Sequence, residues 1–119
     1  VGGGYTTDTL TWLVRDTGKL SLEEAHHLLS ALPARVNGFK DRGMLIEGTA
    51  ADIVVYDLEN LKQVPEGLFE TVNDLPGGDW RRVRWAEGYR YTLVNGEITF
   101  EDGVATGAHP GKLLRHGRG

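Results

Sequence analysis

The chain contains no cysteine and no long apolar run. Without cysteine among its 119 residues, disulfides and thiolate-bound zinc are both excluded, and nothing indicates a redox compartment. The longest apolar runs, such as Ile53–Tyr56, fall far short of the roughly 20 residues that span a bilayer. The glycine-rich opening, Val1–Gly4, lacks the positive charge with which a signal peptide begins. We therefore expect no membrane partner and a cytoplasmic location.

The chain also lacks an excess of positive charge. Its formal net charge is −4, so electrostatic attraction gives no reason to expect a nucleic acid as partner. One run, Trp80–Trp85, interleaves aromatic and cationic side chains in a way that could stack nucleobases. In an acidic protein, a strand whose alternating arginines face solvent is the better explanation of a single such run. We expect no nucleic-acid partner.

Patterns that announce a catalytic metal site are missing. Such a site needs three or more His, Asp or Glu side chains that converge, and neither H-x-H nor H-E-x-x-H occurs. His26 and His27 are adjacent, but successive helix residues point about 100° apart, so the pair is poorly placed to chelate one ion. His109 and His116 lie in a glycine-rich tail that we expect to be mobile, which hinders a preorganised site.

Patterns for nucleophilic and phosphate chemistry are missing too. There is no G-x-S-x-G elbow, and Ser21 is better explained as a helix cap. The cluster Gly2–Gly4 lacks the lysine of a P-loop, and Gly103–Gly111 fits no dinucleotide fingerprint. The sequence therefore predicts no catalytic, cofactor-binding or metal-binding residue within this chain.

Glycine, by contrast, is abundant. The 17 glycines amount to about twice the usual share of roughly 7%, which predicts many tight turns between short elements. The length suits one domain of ordinary size. Near the start, Thr7–Thr9 supplies N-cap candidates for a first helix that carries Leu10, Leu13 and Val14 and ends near Gly18.

A second helix has a clearer start signal. Ser21–Glu24 is a capping box, in which the serine and the glutamate each bond to the other's backbone amide. Pro33 suits the first turn of a short third helix, which Gly38 would close. The second helix covers about Ser21–Ala31, and its apolar residues share one face: Leu22, Ala25, Leu28, Leu29 and Leu32.

From about residue 41 the spacing of apolar residues becomes strand-like. We expect a short strand at Met44–Ile46 and a turn at Glu47–Ala50. A further strand at Asp52–Asp57 has a continuous apolar middle, which implies burial on both faces. Glu59–Gly88 has no steady period, and Leu75–Asp79 within it predicts a turn or an exposed loop.

The last third of the chain contains the clearest hairpin. It joins Tyr91–Val94 to Glu97–Phe100, because Asn95-Gly96 supplies the two positive φ angles of a type I′ turn. Gly103 predicts a second turn, and Gly107–Arg115 an extended arm. The expected fold is therefore α+β, with a helical segment (1–40) followed by a small antiparallel β-sandwich-like segment with a C-terminal arm (41–119). The helical segment contains two or three helices.

The order of these pieces resembles the end of amidohydrolase-superfamily enzymes. The capped helix Leu20–Ala25 is followed by Asp41–Gly43, by Gly48–Asp57, and later by Leu93–Gly96 with a short return strand. In that superfamily such strands belong to a small β-sandwich that flanks a metal-bearing barrel. The resemblance implies that residues 1–40 are the end of such a barrel and that residues 41–119 form most of a composite β domain.

Further stretches resemble one branch, the N-acyl-D-amino-acid deacylases, also called amidohydrolase family 3. Each stretch alone is unspecific, but their joint order makes the resemblance fairly specific, and it extends from about Val1 to Arg115. The stretches are Trp12–Asp16, Asp74–Gly78, Ala86–Tyr89 and Thr106–Arg115.

This resemblance implies an enzyme that hydrolyses amide bonds of N-acylated D-amino acids. The family holds zinc with barrel histidines and uses an aspartate near the end of barrel strand eight as proton shuttle. The histidines would lie far upstream, and the aspartate just before the stretch that Val1–Gly4 continues. Asp8 and Asp16 fall at a helix cap and a helix end and are not substitutes. The resemblance therefore assigns zinc to a longer parent enzyme and no catalytic position to this chain.

Three functions stay open at this point. The favoured one is a structural, non-catalytic portion of a deacylase-like enzyme, and the first residue, which is not methionine, agrees with a piece of a longer protein. Its apolar helix face would then pack against the upstream barrel of the same polypeptide or in a homo-oligomer. An independent hydrolase would have to draw its metal from His26, His27, His109 or His116. A free-standing binding module would instead use an aromatic platform: Trp80, Trp85, Tyr89 and Tyr91.

Overall fold

Two helices form the first third of the chain. The computed structural model describes residues 3–66 and 68–117. Helix α1 begins as α-helical Tyr5–Asp8 and continues as π-helical Thr9–Asp16. Helix α2 follows as three contiguous stretches, of which the middle one is π-helical: Leu22–His26, His27–Ala31 and Leu32–Val36.

Helix α1 begins earlier than its sequence predicts. Gly4 is the N-cap and provides no side-chain bond, so the N-cap expected at Thr7–Thr9 is wrong. The hydroxyls of Thr9 and Thr11 donate back to the carbonyls of Tyr5 and Thr7, four residues earlier. Threonine often bonds in this way inside a helix, which explains why these side chains do not start one. The predicted end is confirmed, since the helix stops before Gly18, whose φ is +60°.

Helix α2 begins at the predicted capping box. The Ser21 hydroxyl accepts from the Glu24 amide at 3.1 Å, and the Ser21 amide donates to the Glu24 carboxylate at 2.9 Å. The expected restart at Pro33 is wrong, because Ala31 is helical and α2 continues through the proline. The π-helical turns before Pro33 widen the backbone, so a residue without an N–H enters without ending the helix. Gly38, with φ at +72°, closes α2 as predicted.

The rest of the described chain forms short antiparallel strands. The strands are β1 Ile53–Tyr56, β2 Lys62–Val64, β3 Glu70–Val72, β4 Arg81–Val83, β5 Trp85–Glu87, β6 Tyr89–Val94, β7 Glu97–Glu101 and β8 Val104–Ala105. One sheet has the order β1-β6-β7-β8, and two separate ladders pair β2 with β5 and β3 with β4. This arrangement confirms the α+β class.

Two tight turns connect the last three strands. Asn95 and Gly96 have φ angles of +48° and +82°, and Val94 pairs with Glu97 across them, which confirms the type I′ hairpin. Asp102 and Gly103 repeat the pattern between β7 and β8, so the predicted second turn is also confirmed. The turn at Pro76–Gly78 is a short 3₁₀ segment within the exposed loop that was predicted there.

The segment Met44–Ile46 is not a strand, contrary to the prediction. Its side chains are exposed, and it lies in no ladder among the described strands. β-branched and apolar residues favour a strand only where a neighbour completes the ladder and covers one face. The turn that follows is confirmed, since the Thr49 amide donates to the Ile46 carbonyl and φ of Gly48 is +88°.

Strand β1 is present, but the burial predicted for it is wrong. Val54 and Val55 are 43% and 44% exposed. In the described chain β1 pairs with β6 alone and forms the edge of its sheet. An apolar edge strand with an unpaired row of backbone groups is a surface that proteins normally cover.

A small shared core joins the helices to the sheet. Leu10 of α1, Ala25 of α2 and Leu61 of the β1–β2 connection are buried together. Because each element contributes to the same core, the position of both helices depends on the β segment. Within residues 3–66 and 68–117, no helix is both long and apolar enough to cross a membrane. The partly buried residues around this core are Val14, Leu29, Tyr56, Leu58 and Tyr89.

Candidate functional site

The four histidines do not form a metal centre in the structure. His26 bonds through Nε2 to the Tyr56 hydroxyl at 2.5 Å, whereas His27 and His109 are exposed. Among the described residues, no three His, Asp or Glu side chains are placed to hold an ion. The side chains present in that part of the chain therefore do not fit zinc.

The fourth histidine, His116, holds the C-terminal arm. Its Nδ1 lies 2.9 Å from the Asn37 carbonyl, and the Gly117 amide donates to the Gly38 carbonyl at 3.1 Å. Further up the arm, the Asn95 side chain donates to the Pro110 carbonyl. The arm contains neither helix nor strand among its described residues, and these bonds attach it to both the hairpin and the end of α2. This differs from the mobile tail expected around His116.

The start of helix α1 is held by a buried side chain from strand β2. Gln63, only 9% exposed, donates through Nε2 to the Gly4 carbonyl at 2.6 Å and approaches the Asp8 carboxylate at 3.3 Å. A Cβ added at Gly4 would lie 2.2 Å from that nitrogen. Glycine at position 4 is therefore required for this close approach.

Two more side chains of the β segment hold the same helical turn. The Tyr89 hydroxyl bonds to the Thr7 hydroxyl at 2.8 Å. Arg84 lies 3.5 Å from the Asp8 carboxylate and is stacked over the Phe69 ring, with 5.6 Å between guanidinium carbon and ring centre. We call the side chains of Gln63, Arg84 and Tyr89, which hold Gly4, Thr7 and Asp8, the helix-start clamp.

Arg84 is the most unusual member of the clamp. Its side chain is 16% exposed, and its Nε is buried with no hydrogen-bond partner in the described part of the chain. The other two arginines of the Trp80–Trp85 run, Arg81 and Arg82, are exposed. The strand expected for this run, with alternating arginines facing solvent, is therefore wrong, because the run is divided between β4 and β5 and Arg84 lies between them with its side chain largely buried.

Tyr89 also belongs to a chain of rings that connects the clamp to helix α2. Its ring centre lies 6.0 Å from that of Tyr56, which in turn lies 5.7 Å from His26. Burial raises the pKa of Tyr56, and the neighbouring Tyr89 adds to the shift. Tyr56 therefore stays a neutral hydroxyl that can bond to His26 across the whole physiological pH range.

The four aromatic residues of the expected platform lie in different surroundings. Trp80 lies beside Arg82 at the surface, and Trp85 donates through Nε1 to the Glu70 carboxylate at 2.9 Å. Tyr89 packs on the core, and Tyr91 lies in β6 opposite Glu101. Among the described residues, Tyr89 contacts the ring of Tyr56, and no ring-to-ring contact joins any two of the four platform residues.

An apolar groove lies between helix α2 and strand β1. Its volume is about 750 Å³. Met44–Ile46 forms one wall, the α2 residues Ala31 and Pro33 another, and Ile53 and Val54 of β1 the floor. The groove thus includes Val54, an exposed residue of the strand for which the sequence predicted burial.

The helix-start clamp could not be recognised in the sequence. Gln63 lies in a three-residue strand within a stretch that has no steady period, and 59 positions separate it from Gly4. The available signals were a glycine cluster before a helix and a single amide between Lys62 and Val64. Neither signal identifies the other across that distance.

The fold and the clamp define an α+β unit whose first helix is fixed at its start by side chains of an antiparallel β segment. In the described residues this unit carries structural bonds and no metal-holding group. The chain matches the sequence model described as "Amidohydrolase family" over residues 3–100. It therefore belongs to the amidohydrolase family, and the resemblance seen in the sequence is confirmed.

Curated relatives narrow the comparison. The N-acyl-D-glutamate deacylase of Alcaligenes xylosoxydans xylosoxydans is 38% identical over 113 residues, which cover 94% of this chain and 20% of the relative. The N-acyl-D-aspartate deacylase of the same organism is 33% identical over 116 residues, covering 96% and 20%. The dihydroorotase of Lactobacillus gasseri is 32% identical over 94 residues, covering 79% and 22%.

The chain spans about a fifth of the length of these relatives. No solved structure gives a significant match. The comparison therefore establishes the family, while the activity of a whole enzyme is a matter for proposal.

Proposed function

We propose that this chain is the C-terminal structural portion of a metal-dependent amidohydrolase that removes the acyl group from N-acyl-D-amino acids. The observation that supports this most is the 38% identity with an N-acyl-D-glutamate deacylase across 94% of the chain. The aspartate deacylase, which also matches over nearly the whole chain, supports the same branch. In this proposal the bond that breaks is a non-peptide C–N amide bond.

The metal and the catalytic residues belong, in this proposal, to the part of the enzyme upstream of this chain. The side chains described here do not fit zinc, so the zinc that the family resemblance implies would be held elsewhere. This chain contributes no step of the chemistry. Its role is to support the part of the enzyme that carries the metal.

Exposed apolar surface supports the scaffolding role. Leu22, Leu28 and Leu32 of helix α2 are exposed, and the groove beside β1 adds Met44–Ile46 and Val54. Exposed apolar surface beyond scattered single residues marks an interaction site in a folded protein. We propose that the upstream barrel of the same polypeptide covers it, with a homo-oligomer as the other arrangement, and that the enzyme acts in the cytoplasm.

The native protein tests this proposal. Its mass, measured by mass spectrometry after purification from its source, is expected to be several times that of this chain. The purified protein is then incubated with N-acetyl-D-glutamate, N-acetyl-D-aspartate and their L-enantiomers, before and after removal of metal and after zinc is restored. We expect release of free D-amino acids that stops without metal and resumes with zinc.

Other outcomes would count against the proposal in distinct ways. Ring opening of dihydroorotate or a hydantoin, without deacylation, would place the enzyme in another branch of the family. A native species of this chain's own mass that hydrolyses no amide would contradict the enzymatic role altogether.

A further inference from the structure

The carbonyl group of Gly4 accepts two hydrogen bonds, one from inside helix α1 and one from outside it. The Asp8 amide donates to it at 2.9 Å as the first helical bond, and Gln63 Nε2 donates at 2.6 Å from strand β2. The second hydrogen of the Gln63 amide faces the Asp8 carboxylate. One buried side chain thus fixes the peptide at which the chain enters the helix.

The remaining contacts prevent helix α1 from shifting along its axis. Tyr89 holds Thr7 in the first turn. At the other end, Arg15 Nη1 contacts the carbonyls of Leu58 and Leu61 at 3.0 and 2.6 Å. With both ends tied to the β segment, the position of the Gly4 peptide depends on Gln63 and not on the helix alone.

We propose that Gln63 is a positioning residue for the amidohydrolase reaction of the intact enzyme. The inference rests on the proposed function, in which the metal-bearing part precedes this chain. By holding the Gly4 carbonyl, Gln63 fixes the peptide at which the chain coming from that part enters helix α1. Displacements of about 1 Å at such a junction can cost on the order of 100-fold in rate, because catalysis depends on the geometry of the reacting groups.

The sharpest test is Gln63→Glu in the intact enzyme, because it keeps the shape of the side chain and replaces the donor nitrogen. At neutral pH the introduced carboxylate would repel the Gly4 carbonyl and the Asp8 carboxylate. We expect kcat to fall by at least about tenfold while KM stays within about twofold, since substrate contacts are unchanged.

The pH profile separates positioning from simple loss of stability. Burial and the neighbouring Asp8 would raise the pKa of the introduced carboxyl, and Arg84, which pairs with the other Asp8 oxygen, would offset part of that rise. Once protonated, the carboxyl can donate to Gly4 again. The ratio of variant to wild-type kcat should therefore rise as the pH is lowered. Gln63→Leu, which cannot regain a donor, should show the same loss without this recovery.

Ser21→Ala provides the control, since it removes the cap of helix α2 and leaves both ends of α1 bonded to the β segment. It should lower the melting temperature while kcat and its pH profile stay as in the wild type. If Gln63→Glu fails to fold, Tyr89→Phe tests the same idea by removing only the hydroxyl that holds Thr7. That variant should reduce kcat several-fold with KM retained, and an unchanged kcat would contradict the proposal.

Two failures can be told apart. A wild-type protein that hydrolyses none of the amides contradicts the proposed function. An active wild-type enzyme whose Gln63→Glu variant keeps its kcat, or loses it with the pH profile of the Ser21→Ala control, contradicts the positioning role alone.

Discussion

The guanidinium of Arg15 donates to the carbonyl oxygen of Leu61 at 2.6 Å, and the side chain of that leucine is fully buried. The same Nη1 contacts the carbonyls of Leu58 and Glu59. One charged side chain at the end of helix α1 therefore satisfies the backbone of the connection that carries the centre of the core. This contact links the helix to the β segment more directly than apolar packing does.

Arg15→Met should consequently destabilise the protein by about 1.5–3 kcal/mol, the usual value of hydrogen bonds from a charged group. Urea unfolding followed by tryptophan fluorescence measures the change. Arg81→Met is the control, because Arg81 pairs with the exposed carboxylate of Asp74 and surface pairs contribute little. Equal losses of unfolding free energy in the two variants would show that the Arg15–Leu61 bond contributes no more than a surface ion pair.

Gly88 is expected to tolerate no side chain. Its φ is +105°, and a Cβ there would lie 2.8 Å from the Cα of Leu61. Gly88→Ala should therefore cost more than the roughly 1–2 kcal/mol of a strained φ alone, because backbone must move as well. Gly103→Ala is the matched control, with φ at +80° and open space around the new Cβ. Similar unfolding free energies for the two variants would refute the close-approach argument.

The capping box at the start of helix α2 makes two separate contributions. Ser21→Ala should reduce the unfolding free energy by about 1 kcal/mol, as loss of an N-cap usually does. Bonds from the Ser21 backbone and side chain lower the pKa of Glu24. The stabilisation from Glu24 is therefore complete above its ordinary pKa and is lost as the pH falls through the lowered value. Melting curves across that acidic range should lose part of their pH dependence in Glu24→Gln.

Asp52 should also contribute to the acid sensitivity of the fold. Burial would raise its pKa, but the Asn95 amide and then Arg42 outweigh burial, and the pKa lies below its ordinary value. This stabilisation is present at neutral pH and disappears as the pH drops below the ordinary pKa of aspartate and through the lowered one. Asp52→Asn should lower the melting temperature at neutral pH and leave it nearly unchanged at strongly acidic pH. A constant difference at all pH values would contradict this.

Local features of the fold were predictable, because a few adjacent residues determine them. Asn95-Gly96 requires no partner elsewhere to specify its turn, and Ser21 caps a helix three residues away. Strand Met44–Ile46 was predicted on the same local basis and is wrong, because a strand also needs a neighbour. Helix α2 passes Pro33 because its π-helical turns change the backbone register, which no residue pattern announces.

The clamp and the short ladders could not be predicted for a different reason. Gln63 and Gly4 are 59 positions apart, and a buried amide looks like a surface one in the sequence. The three-residue strands β2 and β5 are too short to show a period. The family resemblance identified the class of protein without knowledge of these contacts. It could not indicate which side chains hold the first helix.

The attachment of the C-terminal arm determines where a probe on it would report. His116 reaches back over 79 positions to Asn37, so the arm leaves the sheet and finishes beside helix α2. A dye placed on exposed Arg115 would therefore sense the end of that helix and not the strand from which the arm departs. Energy transfer to a second dye on α2 would report in real time whether the arm is bound to the end of that helix. An affinity tag added near Arg115 would compete with this binding.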